Sequence, residues 1–136
     1  LLFLVDEDTR AFNKIIEAFR MPKGSEEEIL KRKQAVEDAT RYATEIPLQV
    51  METALSSMEV MEAMLEKGLQ TSLSDAGVGI LCARTAVLGA YFNVKINAKD
   101  LKNRAAAEDL LAKAKRIYDE ALVREAEAIA FIESKM

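Results

Sequence analysis

Apolar residues recur along this chain mainly at the three-, four- and seven-residue spacings of amphipathic helices. The first such stripe contains Leu4, Val5, Phe12, Ile15, Ile16 and Phe19. It stops at residues 21–24, Met-Pro-Lys-Gly, where proline and glycine end a helix. Ser25 and Glu28 then have the spacing of a capping box, which predicts that a second helix begins near Ser25.

A proline interrupts the second apolar stripe, which covers residues 29–65. Pro47 either kinks one long helix or starts a new one in its first turn, and the pattern allows both arrangements. Gly68 is predicted to follow the end of this segment, because glycine is common after the last helical turn. Ser72 or Ser74 is then predicted to cap the next helix.

Small residues distinguish the third predicted helix, and they let another helix come close to its backbone. These residues are Gly77, Gly79, Ala83, Ala86, Gly89 and Ala90. A stripe that we expect to face the core leads toward Phe92 and consists of Val78, Leu81, Cys82, Thr85, Leu88 and Gly89. We expect this helix to be the most buried one. The β-branched, alternating run 91–97 is predicted to leave the helix for an extended connection.

A last long helix is predicted over about residues 105–134, after a basic connection at residues 99–104. No repeat, low-complexity tract or long linker divides the chain. The pattern therefore predicts one all-α domain over residues 1–136, a bundle of long antiparallel helices with short connections. The apolar run at residues 1–5 is typical of the middle of an element, so we expect this domain to be truncated at its N-terminus.

The composition excludes several kinds of catalytic and metal-binding site. The chain has 136 residues and a formal net charge of −4, so we expect no general attraction to nucleic acid or to anionic membranes. The absence of His excludes His-dependent nucleophilic catalysis and His-ligated metal sites. Cys82 is the single Cys; we expect it to be buried, and we expect a reducing, cytoplasmic location. No run of about 18 apolar residues exists, so no membrane-spanning segment is predicted.

Three consecutive carboxylates, Asp6, Glu7 and Asp8, are the first candidates for chemistry. Neighbouring residues project about 100° apart on a helix, so at least one of the three is expected to point inward. Asp8 lies four residues before Phe12 and so shares the first apolar stripe. A carboxylate on such a stripe is partly desolvated and can act as a general acid or base. A solvated or capping carboxylate is the alternative.

Two further groups carry polar side chains that a ligand could use. Ser74 and Asp75 are interpreted either as part of a binding site or as a helix cap with an acid in the first turn. Asn93 and Asn97 flank an apolar stretch, and their amides can recognise the donor and acceptor edge of a heterocycle; turn or cap chemistry is the alternative. A basic cluster could hold an anionic substrate tail or form a solvated connection, and it consists of Lys95, Lys99, Lys102 and Arg104.

Five sequence blocks, in order and with similar spacing, resemble the cyclodeaminase family, which includes formiminotetrahydrofolate cyclodeaminases and methenyltetrahydrofolate cyclohydrolases. The blocks are LVDEDTRAFN at 4–13, MPKGSEEE at 21–28, IPL at 46–48, SDAGV at 74–78 and GAYFNVKIN at 89–97. The resemblance covers residues 1 to about 133. Family members carry a Gly-rich turn and an Ala-rich helix ahead of this region, which agrees with the expected N-terminal truncation.

The resemblance implies a helical bundle that dimerises and binds folate near the helix ends. It implies that Asp8 is the active-site residue, because the family's active-site Asp stands four residues before a Phe, as Asp8 stands before Phe12. Other family motif positions and the basic cluster give the expected substrate-binding residues, which are Ser74, Asp75, Asn93, Asn97 and Lys95.

The implied reaction is the ring closure of 5-formiminotetrahydrofolate to 5,10-methenyltetrahydrofolate with release of ammonia, with Asp8 as general acid and base. The alternative within the family is a methenyltetrahydrofolate cyclohydrolase that forms 10-formyltetrahydrofolate. No metal and no cofactor beyond the tetrahydrofolate substrate is expected. The resemblance also implies a homodimer and a fused or separate formiminotransferase partner. A helical interaction module without catalysis is the alternative of a different class.

Overall fold

Four long helices account for nearly all of the computed structural model, which describes residues 1–136. They are α1 (Leu2–Phe19), α2 (Glu26–Lys67), α3 (Leu73–Ala98) and α4 (Arg104–Lys135), with a short 3₁₀ turn at Gln70–Ser72 before α3. No β-strand is present. The predicted all-α class and most of the helix ends are therefore confirmed.

Successive helices run antiparallel, and side-chain contacts show their register. The contacts that align α1 with α2 are Glu7–Tyr42 and Phe19–Arg32. The contacts that align α2 with α3 are Ala43–Asn97 and Met61–Gly79. The contacts that align α3 with α4 are Arg84–Glu125 and Tyr91–Tyr118. Since α2 packs against each of the other three helices, it is the element that positions them.

The core has two parts. The larger cluster joins α2, α3 and α4, with Met51, Met58, Ile80 and Val87 among its fully buried side chains. A smaller cluster lies under α1 and consists of Leu4, Ala11, Ala43 and Ile46. The α1 helix is therefore attached to the bundle mainly through a thin apolar contact with α2.

The start of α2 follows from local sequence. The Ser25 hydroxyl accepts a hydrogen bond from the Glu28 N–H at 3.2 Å, as the capping box predicts. The Glu28 carboxylate accepts the Gly24 N–H at 3.1 Å, one residue before the expected partner. At α3 the cap prediction was wrong, because Ser72 precedes the helix but its side chain makes no capping hydrogen bond.

Pro47 lies inside a single helix, which settles the choice that the sequence left open. Proline has no N–H to donate, so the carbonyl of Ala43, four residues earlier, loses its partner within the helix. The Nδ2 amide of Asn97 on α3 donates to that carbonyl at 2.8 Å. A residue of the neighbouring helix thus satisfies the acceptor that the proline leaves free.

The face of α3 that is buried differs from the predicted one. The core side carries Ala76, Ile80, Ala83, Val87, Ala90, Val94 and Ala98. Most of the predicted stripe is exposed, including Val78, Leu81, Cys82, Thr85 and Phe92. Helices that pack closely favour small residues at the contact, so the alanine side faces α2 and α4. The expectation that Cys82 is buried was therefore wrong.

The end of α3 also differs from the prediction, because residues 91–97 stay helical up to Ala98. Packing of Val94 and Ala98 into the core outweighs the weak strand preference of this run. Residues Gln70–Ala98 are long and apolar enough to cross a membrane by length and composition alone. Core helices meet the same criteria, and one side of α3, with Ile80, Val87 and Val94, packs in the core of this bundle.

Candidate functional site

Asp8 lies on the predicted stripe of α1; the part of that stripe around Asp8 and Phe12 is exposed, although Leu4 at its start is buried and Ile15 is half-buried. The buried side of α1 carries Leu4, Ala11 and Ala18, while Asp8 and Phe12 are exposed. The desolvation expected for this carboxylate is therefore absent in the structure, and that part of the prediction was wrong. Any environment that excludes water from Asp8 has to come from a molecule that covers the stripe.

Glu7 is the one of the three neighbouring carboxylates that points inward, although the apolar stripe favoured Asp8. Its side chain is only 12% exposed. One oxygen accepts a hydrogen bond from the hydroxyl of Tyr42 on α2, and the other pairs with Arg10. The ammonium of Lys14 lies 4.0 Å from the centre of the Tyr42 ring. We call these four side chains the α1–α2 polar cluster.

The hydrogen bond to Tyr42 shapes the ionisation of this cluster. It lowers the pKa of Glu7, with further help from the Arg10 guanidinium, and it raises the pKa of the Tyr42 hydroxyl. At neutral pH Glu7 is therefore an ionised acceptor and Tyr42 a neutral donor. Glu7 stands three residues after Leu4 and four before Ala11, so it shares the side of α1 that carries Leu4, Ala11 and Ala18. This spacing is the sequence signal that could have identified it.

This cluster leads to a pH prediction. A carboxylate whose pKa is lowered by folding stabilises the fold above its unfolded pKa, and that stability is lost as the pH falls through the folded pKa. Tyr42→Phe removes the main cause of the lowering, so the stability difference between wild type and variant should shrink as the pH falls below about 5, near the ordinary pKa of a glutamate. Urea unfolding at several pH values measures it. A difference that grows on acidification would contradict this assignment.

A cleft of about 960 Å³ opens between α1, α2 and the connection from α3 to α4. Its α1 wall is formed by Ile15 and Phe19, which continue the stripe of Asp8 and Phe12. The α2 side and the connection supply apolar, amide and charged groups: Leu30, Arg32, Lys33, Gln34, Val36, Glu37, Thr40, Asp100, Lys102 and Asn103. Asn97 of α3 completes the lining.

The connection is held against this cleft by Glu37. Its two carboxylate oxygens accept the backbone N–H groups of Lys102 and Asn103, each at 2.9 Å. Both oxygens of the Glu37 carboxylate therefore already accept hydrogen bonds within the protein. Arg32, Lys33 and Lys102 form no ion pair. Arg32 donates its Nε–H to the Phe19 carbonyl, and its other N–H groups and the two lysine ammonium groups can still pair with an anionic group at the cleft.

The two asparagines of α3 have different surroundings. Asn97 is half-buried, lines the cleft and uses one N–H of its amide for the Ala43 carbonyl. Asn93, one helical turn earlier, is exposed. Because Glu7 contacts Tyr42 and Asn97 contacts Ala43, the turn of α1 that carries Asp8 and the end of α3 lie at the same level along α2.

Ser74 and Asp75 lie at the other end of α3. Nineteen residues separate Ser74 from Asn93, which corresponds to roughly 28 Å along a helix at 1.5 Å per residue. Within one chain Ser74 and Asp75 therefore lie far from Asn93 and Asn97, and a role for Ser74 and Asp75 in binding stays a prediction. Ser74 instead borders a separate pocket of about 250 Å³ between α3 and α4.

The structure disperses the basic cluster predicted from the sequence. Arg104 donates to the carbonyls of Ala98 and Leu101 and so closes the end of α3. The ammonium of Lys95 lies 5.5 Å from the centre of the Tyr91 ring, away from the residues that line the cleft. Of the predicted cluster only Lys102 lines the cleft. A role for Lys95 in binding stays a prediction.

Comparisons with known proteins give relatives that are named as cyclohydrolases or as cyclodeaminases. Residues 1–116 match the model of the formiminotransferase-cyclodeaminase family. The chain is 33% identical to a methenyltetrahydrofolate cyclohydrolase of Methylorubrum extorquens over 118 residues, which cover 87% of this chain and 57% of that protein. It is 33% identical to a mouse formimidoyltransferase-cyclodeaminase over 135 residues, which cover 99% of this chain and 25% of that protein.

A solved structure supports the fold. The crystal structure of a formiminotetrahydrofolate cyclodeaminase from Thermotoga maritima superposes with a TM-score of 0.81 at 19% sequence identity. The match covers 96% of this chain and 61% of that chain. The chain thus spans between a quarter and about three fifths of the length of these three relatives.

Proposed function

The chain belongs to the formiminotransferase-cyclodeaminase family, and on that premise we propose that it closes the ring of 5-formiminotetrahydrofolate to give 5,10-methenyltetrahydrofolate and ammonia. One structural observation carries the proposal, namely the cleft whose α1 wall continues the stripe of Asp8. A substrate that lies along this stripe covers Asp8 and removes water from it.

The chemistry of the cleft suits a folate. Ile15, Phe19 and Val36 offer apolar surface for flat rings. The free carbonyl oxygen of the Asn97 amide, and the amide of Gln34, can pair with the polar edge of a pterin. Lys102 and its two neighbouring cations can pair with the carboxylates of the glutamate tail.

In the proposed mechanism, the formimino group on N5 carries a proton, as the amidinium N5–CH=NH2⁺, and N10 of the substrate attacks its carbon. Asp8 takes the proton that N10 loses as the new C–N bond forms. It then donates a proton to the former imino nitrogen, which leaves as ammonia when its bond to carbon breaks. The ring carbon remains bonded to N5 and N10 as the methenyl bridge, and Asp8 returns to its starting state. Proton transfer by a positioned side chain is the only catalytic chemistry required of the protein.

Cyclohydrolase activity is the second candidate, because the Methylorubrum extorquens relative carries that name. Here Asp8 would activate a water molecule that adds to the methenyl carbon, and the ring would open to 10-formyltetrahydrofolate. We also propose that neither reaction uses a cofactor beyond the folate. The names of the relatives that span nearly the whole chain support a formiminotransferase as a fused or separate partner.

The absorbance of methenyltetrahydrofolate separates the two candidates. With 5-formiminotetrahydrofolate as substrate, a cyclodeaminase raises this absorbance and releases one ammonia for each ring closed. With methenyltetrahydrofolate as substrate, a cyclohydrolase removes the absorbance faster than buffer alone. Because the Gly-rich turn of family members is expected to help form the folate site, the test uses the full-length protein that contains this chain. If that protein changes neither rate, both enzymatic proposals are wrong and the helical interaction module is favoured.

We further propose a homodimer that covers the exposed apolar stripe of α3, where Leu81, Cys82 and Phe92 lie. Light scattering at micromolar concentration should give twice the chain mass of 15.1 kDa. Phe92→Asp should yield a monomer that is still helical, because Phe92 is exposed in the single chain. In the dimer a thiol reagent should label Cys82 more slowly than in this variant. A wild-type protein that scatters as a monomer contradicts the proposal.

A further inference from the structure

The orientation of α1 on α2 is weakly determined by its apolar contacts. The cluster beneath α1 contains two alanines, Ala11 and Ala43, and two larger buried side chains, Leu4 and Ile46, and the half-buried Ile15, Tyr42 and Val50 pack at its edge. A methyl group fits against a neighbouring helix over a range of rotations, so alanine contacts bring two helices close but do not fix their rotation well. Some other contact has to set the direction in which each side chain of α1 points.

The α1–α2 polar cluster meets that need. Glu7, Arg10 and Lys14 stand three and four residues apart, so they lie on one side of α1. Two of them contact Tyr42: Glu7 accepts its hydroxyl hydrogen and Lys14 lies over its ring, while Arg10 pairs with Glu7. A hydrogen bond to an ionised carboxylate is directional and stronger than a neutral one. Tyr42 is thus held at two points of α1 that lie about two turns apart.

Asp8 follows Glu7 directly in sequence, so its direction is set about 100° around the helix from that of Glu7. We propose that Glu7 and Tyr42 are positioning residues, whose hydrogen bond fixes the rotation of α1 and thereby directs Asp8 at substrate bound along the α1 stripe. Neither residue touches the reacting atoms, and both act through Asp8. The inference rests on the proposed function, because it takes Asp8 to be the group that transfers protons.

Steady-state kinetics of Tyr42→Phe test the positioning role. Misplacement of a catalytic group by about 1 Å can cost 10²-fold, so kcat should fall by about 10-fold to 10²-fold while KM changes less than about twofold. Glu7→Gln keeps an oxygen that accepts from Tyr42 and should lose less activity than Glu7→Ala. Arg41→Gln is the control, since it breaks only the exposed Arg41–Glu45 pair beside Tyr42 and should leave kcat unchanged.

Combination with Asp8→Asn separates positioning from a general structural effect. If Tyr42 acts through Asp8, Tyr42→Phe should cause no further loss of kcat in the Asp8→Asn background. Losses that multiply in the double variant overturn the positioning role while leaving the proposed reaction intact. If Asp8→Asn alone keeps full turnover, the catalytic assignment of Asp8 fails first, and the positioning role fails with it.

Hydrogen exchange of backbone amides tests the physical basis without any turnover. Tyr42→Phe should speed exchange in residues 2–19 and leave α4 unchanged, and Arg41→Gln should leave both unchanged. Circular dichroism establishes that each variant remains helical. Should Tyr42→Phe unfold, Glu7→Gln gives the same reading with a smaller expected change. If amide exchange in α1 is as slow in Tyr42→Phe and in Glu7→Gln as in the wild type, the proposal is wrong, whatever the kinetics show.

Discussion

Replacement of Asp8 by asparagine is expected to lower turnover by roughly 10²–10⁴-fold, the usual contribution of general acid–base catalysis. The amide keeps the size and much of the hydrogen bonding of the carboxylate but cannot take a proton from N10 or give one to the leaving nitrogen. Folate binding should survive, because the cleft residues that hold the ligand are unchanged. Absorbance of the methenyl product measures turnover, and calorimetry measures binding.

Asp6→Asn is the matched control for this variant. Asp6 is exposed and stands two residues before Asp8, about 160° away around the helix, so it should not face the same ligand. Near-full rates for Asp8→Asn in both the ring-closure and the ring-opening assay would mean that Asp8 has no catalytic role. If only one assay responds, that assay identifies the reaction that uses Asp8.

Replacement of Asn97 by alanine should lower the free energy of unfolding by about 1–3 kcal/mol, the cost of a buried polar group left without a partner. The group concerned is the carbonyl of Ala43. Pro47 has no N–H to donate to it, and the Asn97 amide is its hydrogen-bond partner. Urea unfolding followed by circular dichroism measures the loss. Asn93→Ala, at an exposed position, is the control and should change stability by less than about 0.5 kcal/mol.

A second substitution tests the cause of that loss. In Pro47→Ala/Asn97→Ala the new backbone N–H at position 47 can donate to the Ala43 carbonyl, so the stability lost in Asn97→Ala should largely return. Substrate binding should not return if the carbonyl oxygen of Asn97 also contacts folate. A double variant as unstable as Asn97→Ala would show that the unsatisfied carbonyl is not the cause.

Much of the site could not have been predicted from sequence because it depends on contacts between distant residues. The sequence marked Asn97 as a candidate ligand, but its bond to Ala43 joins residues 54 positions apart and appears only in the fold. Glu7 and Tyr42 are 35 positions apart, so their hydrogen bond likewise appears only in the fold. Ser74 and Asn93 looked like parts of one site, and a helix that continues to Ala98 holds them at opposite ends.

The sequence by itself determined the features that depend on neighbouring residues. Residues 21–24 end α1, Ser25 caps α2, and the apolar spacing makes every segment a helix, because these effects act within one or two turns. The family blocks were likewise visible without any structure.

Only the tertiary structure decided which side of each helix is buried. Both α1 and α3 carry apolar residues on more than one side, so spacing alone could not choose between the large side chains and the alanines. Close approach of neighbouring helices favours the side with small residues, and this leaves Phe12, Cys82 and Phe92 outside. The same packing turned Asp8 outward and Glu7 inward. The position of Asp8 relative to Glu7 and Tyr42 is therefore a property of the fold.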